Sequence, residues 1–528
     1  MLCKFPLACR RVEFMLCKQR LSYRPNIPLI LDQWDQICIE SLSTQAIASD
    51  LQSVFPHTHS LPRCRAVVGR GQKSVAYKVG VLFSGGPAAG GHNVLAALFD
   101  ALQKCNASSQ LIAFLDGASG LIEDRTQQLT SQMIDASRNQ GGFDLIGSSR
   151  TKLDKPEQFS AALQTVKKHA LDAVVIIGGD DSNTNGAMLA EYFASQNQKT
   201  QVIGIPKTID GDLRSEEIEI SFGFDSACKT YAESIGNIAK DALSSKKYYH
   251  FIKLMGRSAS HIALECALKT RPNLTLIGEE EKSLFSIVSE LADLIEKRHQ
   301  IGKNYGVVLI PEGLVEFMPE IKFLLEELSS GAKIESLSEK ARITFQEIPE
   351  KIQQQLLLEK DPHGNPQVSQ IAIEQLLIHL VKKELQKRKF SGKFNAQDHF
   401  FGYEGRCCLP TNFDADYCYS LGLAAALAVR EGLTGVICAI SNLKAAAQHW
   451  EVKFVPAVQL MRLEKRNGKL KPVIEKTLVD LRGNSFVYLC AHRARWALED
   501  HYHFPGPIQF FGPPELTEQR PFILERSP

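Results

Sequence analysis

Two short acidic loops stand directly after apolar runs of the kind that form buried strands. The first loop follows residues 174–178 and the second follows residues 202–206. Together they carry four carboxylates: Asp180, Asp181, Asp210 and Asp212. Because the carboxyl ends of parallel strands meet at one edge of a sheet, these carboxylates are expected to face one crevice. Carboxylates repel phosphate unless a cation is present, so the pattern predicts Mg²⁺, Lys207 or both.

Glycines around these loops suit a phosphate ligand. Gly178 and Gly179 would let a phosphate approach the backbone, and N–H groups at the next helix start could bind it. A third candidate loop, residues 84–93, lies between a strand-like run (76–83) and residues with helical spacing. It lacks the Gly-Lys-Ser/Thr end of a Walker A loop, and it is not a G-x-G-x-x-G turn. Taken alone, the GGDD loop fits equally well with a polar turn after a core strand, and residues 84–93 fit such a turn better than a ligand loop.

The paired motifs resemble those of the phosphofructokinase family, in its diphosphate-dependent branch. They read GGDDS at residues 178–182 and PKTIDGD at residues 206–212, whereas ATP-using relatives generally carry GGDGS and PGTIDND. The informative departures are therefore Asp181 and Lys207, each of which stands where glycine is usual. Residues 84–93 are similar to the family's first phosphate-binding loop, with Ala89 where proline is common.

The resemblance also implies a role for each site residue. Asp210 would be the general base, Asp180 would hold Mg²⁺, and Lys207 would stabilise charge on the diphosphate, while Asp181 would exclude ATP. Diphosphate would also contact Gly85 and Arg150. The fructose 6-phosphate site would comprise Thr208, Ile209, Asp210, Met255, Gly256, Arg257, Glu312, Tyr403, Glu404, Gly405 and Arg406, with Lys247 and Tyr248 lent by a neighbouring subunit.

The elements that must position these residues alternate between strand-like and helical patterns, which indicates an α/β fold. The resemblance implies two Rossmann-like parallel-sheet lobes with a helical insertion. We expect an N-terminal extension at 1–74, a diphosphate and Mg²⁺ lobe at 75–240 and the first part of the sugar-phosphate lobe at 241–314. The expected remainder is a mostly helical insertion at 315–395, completion of the lobes at 396–470 and a C-terminal closing region at 471–528. Within the extension, residues 32–53 suggest a helix.

Composition excludes several other classes of protein. The chain has 528 residues, 44% hydrophobic and 23% charged, with a formal charge of +2, so no nucleic-acid surface is expected. No apolar run reaches about 18 residues, so no membrane span is expected. The thirteen cysteines lack C-x-x-C spacing and favour free thiols in a reducing cytoplasm. Basic residues near the N-terminus leave a transit peptide, a flexible arm or a start at Met15 open.

These observations lead to one hypothesis and two alternatives. We expect reversible phosphoryl transfer from diphosphate to the 1-hydroxyl of fructose 6-phosphate by a homodimer with a shared active site. The first alternative is an ATP-dependent phosphofructokinase or a more distant lipid or NAD kinase. The second is a non-catalytic regulatory subunit of a heteromeric diphosphate-dependent enzyme. The paired GGDDS and PKTIDGD motifs argue against the first alternative, and the presence of every expected site residue argues against the second.

Overall fold

The computed structural model describes residues 15–42, 47–69, 75–329, 334–358, 371–466 and 469–525. The beginning of the N-terminal extension, residues 1–14, lies outside this description, so the alternatives for that segment remain open. The described strands are β1 (Ile37–Ser41), β2 (Cys64–Val68), β3 (Lys78–Ser84), β4 (Gln110–Phe114), β5 (Thr126–Gln128), β6 (Ser148–Ser149), β7 (Ala173–Gly178), β8 (Gln201–Pro206), β9 (Tyr249–Leu254), β10 (Leu274–Thr275), β11 (Gly306–Pro311), β12 (Ala396–Phe401), β13 (Val436–Ser441), β14 (Glu451–Pro456), β15 (Met461–Arg466) and β16 (Lys469–Ile474).

The larger sheet has ten strands among the described residues. Its order is β1-β2-β14-β13-β8-β7-β3-β4-β5, with β6 beside the end of β3. The central strands β13, β8, β7, β3 and β4 run parallel, and the antiparallel pairings lie toward the two edges. Every residue of β7 is buried. Helices cover both faces of such a sheet, which explains why a central strand such as β7 is apolar along its whole length.

The smaller sheet is parallel throughout, in the order β10-β11-β9-β12. Six residues of β9 pair in register with β11 on one side and with β12 on the other. The two sheets confirm the predicted α/β class with two parallel-sheet lobes. Because β13 belongs to the larger sheet, the chain crosses back to the first lobe after it completes the second.

Most of the helices lie in the connections between strands. They are α1 (Met15–Leu21), α2 (Leu29–Asp32), α3 (Ser49–Val54), α4 (Gly91–Cys105), α5 (Ala118–Ile122), α6 (Ser131–Asp135), α7 (Pro156–Lys168), α8 (Asp180–Ser195), α9 (Phe224–Ser245), α10 (His261–Thr270), α11 (Leu284–Gln300), α12 (Leu314–Phe317), α13 (Pro319–Ser329), α14 (Glu339–Glu347), α15 (Glu350–Leu358), α16 (Ile373–Lys387), α17 (Asn412–Arg430), α18 (Asn484–Leu498), α19 (Pro514–Thr517) and α20 (Phe522–Glu525). Short 3₁₀ helices span Trp34–Gln36, Gly278–Glu280, Ile334–Ser336, Tyr403–Gly405, Ala447–His449 and Ala457–Leu460.

Helices α4 and α17 pack side by side against the larger sheet. A methyl group at Gly422 would begin 2.4 Å from the carbonyl oxygen of Val94 and 2.7 Å from Cβ of Ala97. Only glycine therefore permits the close approach of the two backbones. This contact holds the helix that follows the residue 84–93 loop against the helix that follows Arg406.

The N-terminal segment differs from the helix that we predicted over residues 32–53. Residues 37–41 form β1, which pairs with β2. The helical parts among the described residues of that region are the last residue of α2, the 3₁₀ helix Trp34–Gln36 and α3. The buried guanidinium of Arg430 donates hydrogen bonds of 2.6 Å to the carbonyl oxygens of Trp34 and Ile37. This tertiary contact and the β-branched Ile37 and Ile39 favour the extended backbone over local helix propensity.

The remaining segments are mainly helical. Over 315–395 the described residues form helices and no strand, and their apolar side chains share a buried core with β9 and β11. Near the C-terminus the hairpin β15–β16 precedes α18, whose Trp496 is buried. Among the described residues no helix combines the length and apolar character that a membrane span needs.

Candidate active site

The two acidic loops emerge side by side from the carboxyl edge of the larger sheet. Gly178, the last residue of β7, pairs with Pro206, the last residue of β8, and the Lys207 N–H donates to the Gly178 carbonyl at 2.9 Å. Asp180 then begins α8. In the second loop the Asp210 N–H donates to Oγ1 of Thr208 at 3.1 Å, which holds this loop in a tight turn. The sequence prediction that these loops are neighbours is therefore borne out by the geometry.

Lys207 connects the acidic loops to the glycine loop. Its Nζ donates to the carbonyl oxygen of Gly86 at 2.8 Å, and the side chain is only 6% exposed. Gly85 has a φ of +81°, and a Cβ there would lie 3.3 Å from this Nζ. Glycine therefore allows both the left-handed backbone and the approach of the ammonium group. The close contact places a cation directly beneath the loop that resembles a phosphate cradle.

The environment of Lys207 weakens its hold on a proton. Burial lowers the pKa of Lys207 to about 8, although the negative charge of Asp210 acts in the opposite direction. The cationic groups of Arg406 and Arg257 add to the lowering. A buried ammonium flanked by other cations is a favourable place for a polyanion, because the anion would replace the water that burial has removed.

Asp180 and Asp212 form an acidic pair in the same crevice. Asp212 is 5% exposed, and burial raises its pKa to about 7, with the charge of Asp210 acting in the same direction. Asp180 is more open, with 25% of its side chain exposed. Lys476 Nζ lies 3.6 Å from Oδ2 of Asp180 and 3.9 Å from Oδ2 of Asp212, so the two carboxylates converge on one region.

Mg²⁺ fits this donor set when part of its coordination comes from a substrate. Among the residues that the structure describes, no three His, Cys, Asp or Glu side chains are grouped to hold a metal ion by themselves. Mg²⁺ commonly takes one or two carboxylates and completes its shell with phosphate oxygens and water. The convergent carboxylates of Asp180 and Asp212 meet that requirement.

The smaller sheet supplies a second group of polar residues at its own carboxyl edge. Met255, Gly256 and Arg257 follow β9, and Glu312 follows the adjacent β11. The Gly256 N–H donates to Oε2 of Glu312 at 3.3 Å, and the Gly313 N–H donates to the Gly256 carbonyl at 3.0 Å. A Cβ at Gly313 would lie 2.0 Å from the carbonyl oxygen of Arg257. The two loops are thus fixed against each other.

Glu312 and Arg257 carry the charge in this second group. Glu312 is 3% exposed, and burial raises its pKa to about 7, with Asp210 raising it further while Arg257 lowers it. For Arg257 burial acts to lower the pKa, but the attraction of Asp210 and Glu312 leaves it above its ordinary value. The charge of Asp210 therefore acts on ionisable groups of both clusters.

Arg406 joins the second cluster to the glycine loop. The 3₁₀ helix Tyr403–Gly405 follows β12, and the Arg406 guanidinium lies 4.8 Å from the centre of the Tyr403 ring. A side chain at Gly86 would begin 3.2 Å from the same guanidinium carbon. Tyr231 fixes this turn through a 2.5 Å hydrogen bond from its hydroxyl to the Gly402 carbonyl. Residues predicted to bind different substrates thus meet in one crevice.

Some of the predicted residues lie apart from this crevice or are exposed. Lys247 and Tyr248 precede β9, so they lie at the opposite end of that strand from Met255. Arg150 is exposed just after β6, whose Ser149 carbonyl accepts a hydrogen bond from the Gly85 N–H at 2.9 Å. Asp181 is exposed in the first turn of α8, and Glu404 is exposed beside Tyr403. The roles assigned to these residues, like those assigned to the other site residues, stay predictions.

Lys476 is a site residue that sequence reasoning missed. It lies in the segment predicted as a C-terminal closing region, and it approaches the carboxylates of Asp180 and Asp212. No glycine-rich or acidic motif surrounds it in the sequence. Only the tertiary course of the chain brings it to the crevice.

Comparisons with known proteins agree on one family. The family model described as Phosphofructokinase matches residues 78–429. The chain is 46% identical to the pyrophosphate–fructose 6-phosphate 1-phosphotransferase of Entamoeba histolytica, over 97% of this chain and 99% of that protein. It is 48% identical to subunit beta 1 of the Arabidopsis thaliana protein of that name, over 90% of this chain and 88% of the relative.

A solved structure shares the fold. The pyrophosphate-dependent phosphofructokinase from Nitrosospira multiformis superimposes with a TM-score of 0.56 at 18% identity, and the match covers 84% of this chain and 96% of that one. At this identity the similarity supports the fold alone.

The raised pKa of Glu312 predicts a specific dependence of stability on pH. The folded protein binds this proton more tightly than the unfolded chain, where the ordinary value is 4.5. Stability therefore falls as pH rises from 4.5 to about 7. Between about pH 5.5 and about pH 8, Glu312 should lower the free energy of unfolding of the wild type by up to about 2 kcal/mol. Glu312→Gln should abolish this decrease.

Urea unfolding of the protein without substrates or metal at both pH values measures this difference. The matched control is Glu216→Gln, which changes an exposed carboxylate. An equal pH dependence in wild type and Glu312→Gln would contradict the assignment.

Proposed function

The chain belongs to the phosphofructokinase family, and we propose that it transfers a phosphoryl group reversibly from diphosphate to the 1-hydroxyl of D-fructose 6-phosphate. The products are D-fructose 1,6-bisphosphate and phosphate. The observation that carries the proposal is the buried Lys207 ammonium beneath the Gly85–Gly86 loop, because a cation at this place would bind diphosphate. The printed names of the relatives, similar over nearly the whole chain, support the same donor.

In the proposed reaction the protein positions the reactants and stabilises charge, as phosphoryl transfer requires. Lys207 and the backbone of the glycine loop bind diphosphate, with Arg150 closing on it from the end of β6. Arg257 and Arg406 bind the sugar phosphate, since a planar guanidinium gives bidentate hydrogen bonds to phosphate. Glu312 accepts hydrogen bonds from sugar hydroxyls, and Asp210 takes the proton of the attacking 1-hydroxyl.

The remaining assignments complete the sugar and metal sites. Asp180, with Asp212 beside it, would hold Mg²⁺, which when bound supplies positive charge to the diphosphate oxygens. The sugar lies among Thr208, Ile209, Met255, Gly256 and the turn that contains Tyr403, Glu404 and Gly405. Ile209 and Met255 are 5% and 4% exposed, so their side chains would offer the sugar little apolar surface and their part in binding would fall mainly to the backbone.

We also propose that a second copy of the chain supplies Lys247 and Tyr248. In support, both residues lie at the far end of β9 from the crevice of their own chain. In a dimer that places this edge over the partner's crevice, the ammonium of Lys247 would reach the sugar phosphate. Sedimentation equilibrium tests the oligomeric state, and a fully active monomer would contradict the shared site.

Donor preference is the direct test of the proposed function. The purified protein is assayed with fructose 6-phosphate and Mg²⁺, with either diphosphate or ATP as donor and with fructose 1,6-bisphosphate as the measured product. We expect product with diphosphate and little or none with ATP. Product with ATP alone would overturn the donor assignment and leave the sugar site in place. No product with either donor would favour a non-catalytic subunit.

Asp181 and Lys207 should determine this preference together. The carboxylate of Asp181 would repel the α-phosphate of a nucleotide. The ammonium of Lys207 would stabilise the charge on diphosphate. In the double variant Asp181→Gly, Lys207→Gly, kcat/KM for diphosphate should fall by roughly a thousandfold, the scale seen when a charge-stabilising group is removed. Some activity with ATP should appear.

The single variants separate the two contributions. Lys207→Met should lose diphosphate activity without gaining ATP activity, whereas Asp181→Gly should gain access for ATP. Diphosphate activity that survives intact in the double variant would reject the assignment.

Asp210 should be required for turnover and not for substrate binding. Asp210→Asn keeps the shape of the side chain and removes the base, so kcat should fall by roughly 10²- to 10⁴-fold. The dissociation constant for fructose 6-phosphate, measured by calorimetry, should change only a few-fold. Glu216→Gln again serves as the control. Turnover within tenfold of wild type would exclude Asp210 as the general base.

A further inference from the structure

Lys476 reaches the acidic side of the crevice from a distant part of the chain. It follows strand β16, and its Nζ donates to Oγ of Ser258 at 2.8 Å. The same Nζ lies 3.6 Å from Asp180 Oδ2 and 3.9 Å from Asp212 Oδ2. Asp180 and Asp212 belong to loops of the larger sheet, whereas Ser258 directly follows Arg257 in the smaller one. The ammonium group therefore contacts both halves of the site.

The backbone beside Lys476 is held firmly in place. The Thr477 N–H donates to the Asp212 carbonyl at 2.8 Å, and the Thr477 hydroxyl donates to the Arg214 carbonyl at 2.9 Å. The ring of His261, which begins α10, donates from Nε2 to the Thr477 carbonyl at 2.9 Å. Three hydrogen bonds at the next residue thus fix the backbone from which the Lys476 side chain extends.

The position differs from that of an ordinary surface lysine. The Lys476 side chain is 32% exposed, and its partners Asp180 and Asp212 are 25% and 7% exposed. Lys471, on the same hairpin, is 51% exposed and lies 3.9 Å from the partly exposed Asp154. Exposed ion pairs such as Lys471–Asp154 contribute little to stability. The ammonium of Lys476 instead lies near two carboxylates, one of which is almost fully buried. It lowers the net negative charge of this pair at a place where water screens charges poorly.

We propose that Lys476 is a positioning residue that holds Asp180 and Asp212 together and keeps the charge of this pair low enough for diphosphate to bind. This inference deepens the proposed function and rests on it. The ammonium of Lys476 neutralises part of the charge of the two carboxylates before substrate arrives. Its hydrogen bond to Ser258 keeps Arg257, on the sugar side, in register with the donor side.

This role makes two predictions of opposite sign. Without the ammonium, the carboxylate pair is more negative and should bind a free divalent cation more tightly. With the metal site saturated in every variant, the same loss of positive charge should weaken binding of diphosphate. A lysine that serves only to support the fold would not tighten cation binding when it is removed.

The test compares Lys476→Met, Lys476→Arg and the control Lys471→Met with wild type. Mn²⁺ alone is the metal probe, and its binding is followed by the loss of the free-ion electron paramagnetic resonance signal. We expect Lys476→Met to bind Mn²⁺ roughly three- to tenfold more tightly, as for the loss of one nearby charge in a partly screened site. Lys476→Arg, which keeps the charge, and Lys471→Met should remain within about twofold of wild type.

Steady-state kinetics at saturating Mg²⁺ and fructose 6-phosphate supply the second measurement. In Lys476→Met the KM for diphosphate should rise by roughly fivefold or more, with a smaller change in kcat, and Lys476→Arg should restore most of the loss. Unchanged Mn²⁺ affinity in a folded Lys476→Met protein would overturn the inference, even with an active wild type. If wild type instead failed to use diphosphate, the proposed function would fail, and the Mn²⁺ titration would still decide whether Lys476 neutralises the carboxylate pair.

Discussion

The arrangement of the molecule depends on balancing charges of both signs, of which Lys207, Asp212 and Glu312 are buried, at the carboxyl ends of its parallel strands. The positive charges are those of Lys207, Arg257, Arg406 and Lys476. The negative charges are those of Asp180, Asp210, Asp212 and Glu312. The buried groups among them lose hydration, and burial of a charge is costly unless partners compensate for it. Lys207 illustrates the point, because its ammonium donates to the Gly86 carbonyl and not to a carboxylate. Its charge is thus directed at the glycine loop, where an anionic ligand would complete the balance.

The two sheets make this concentration of charge possible. In each parallel sheet the apolar strands need no polar partner along their length, so the polar residues collect in the loops beyond the strand ends. The larger sheet places its loops beside those of the smaller sheet, and Arg406 then comes against Gly86. Glycine is required where these loops touch, since a Cβ at Gly313 would collide with the Arg257 carbonyl. Close loop contacts and charge convergence are consequences of the same packing.

The parts of the site that could be predicted from sequence are those encoded locally. The run before Asp180 is buried and apolar, the run before Lys207 is too, and their order along the chain was enough to predict neighbouring parallel strands. The prediction of a helix over residues 32–53 was wrong because Arg430, which binds the backbone of this segment, lies almost 400 residues away in the sequence. Propensity within the segment carried no information about that contact.

The position of Lys476 in the site likewise could not be predicted from the residues around it in the sequence. It stands 266 residues after Asp210, beyond residues 78–429 that match the family model, in a segment with no recognisable motif. Its place in the crevice follows from β13 and β14, which return the chain to the larger sheet, and from the hydrogen bonds of Thr477 to the loop after Asp210. The acidic cluster is therefore completed only when the C-terminal segment has docked. A chain that ended after the matched region would keep both motif loops and lack the cation that holds Asp180 near Asp212.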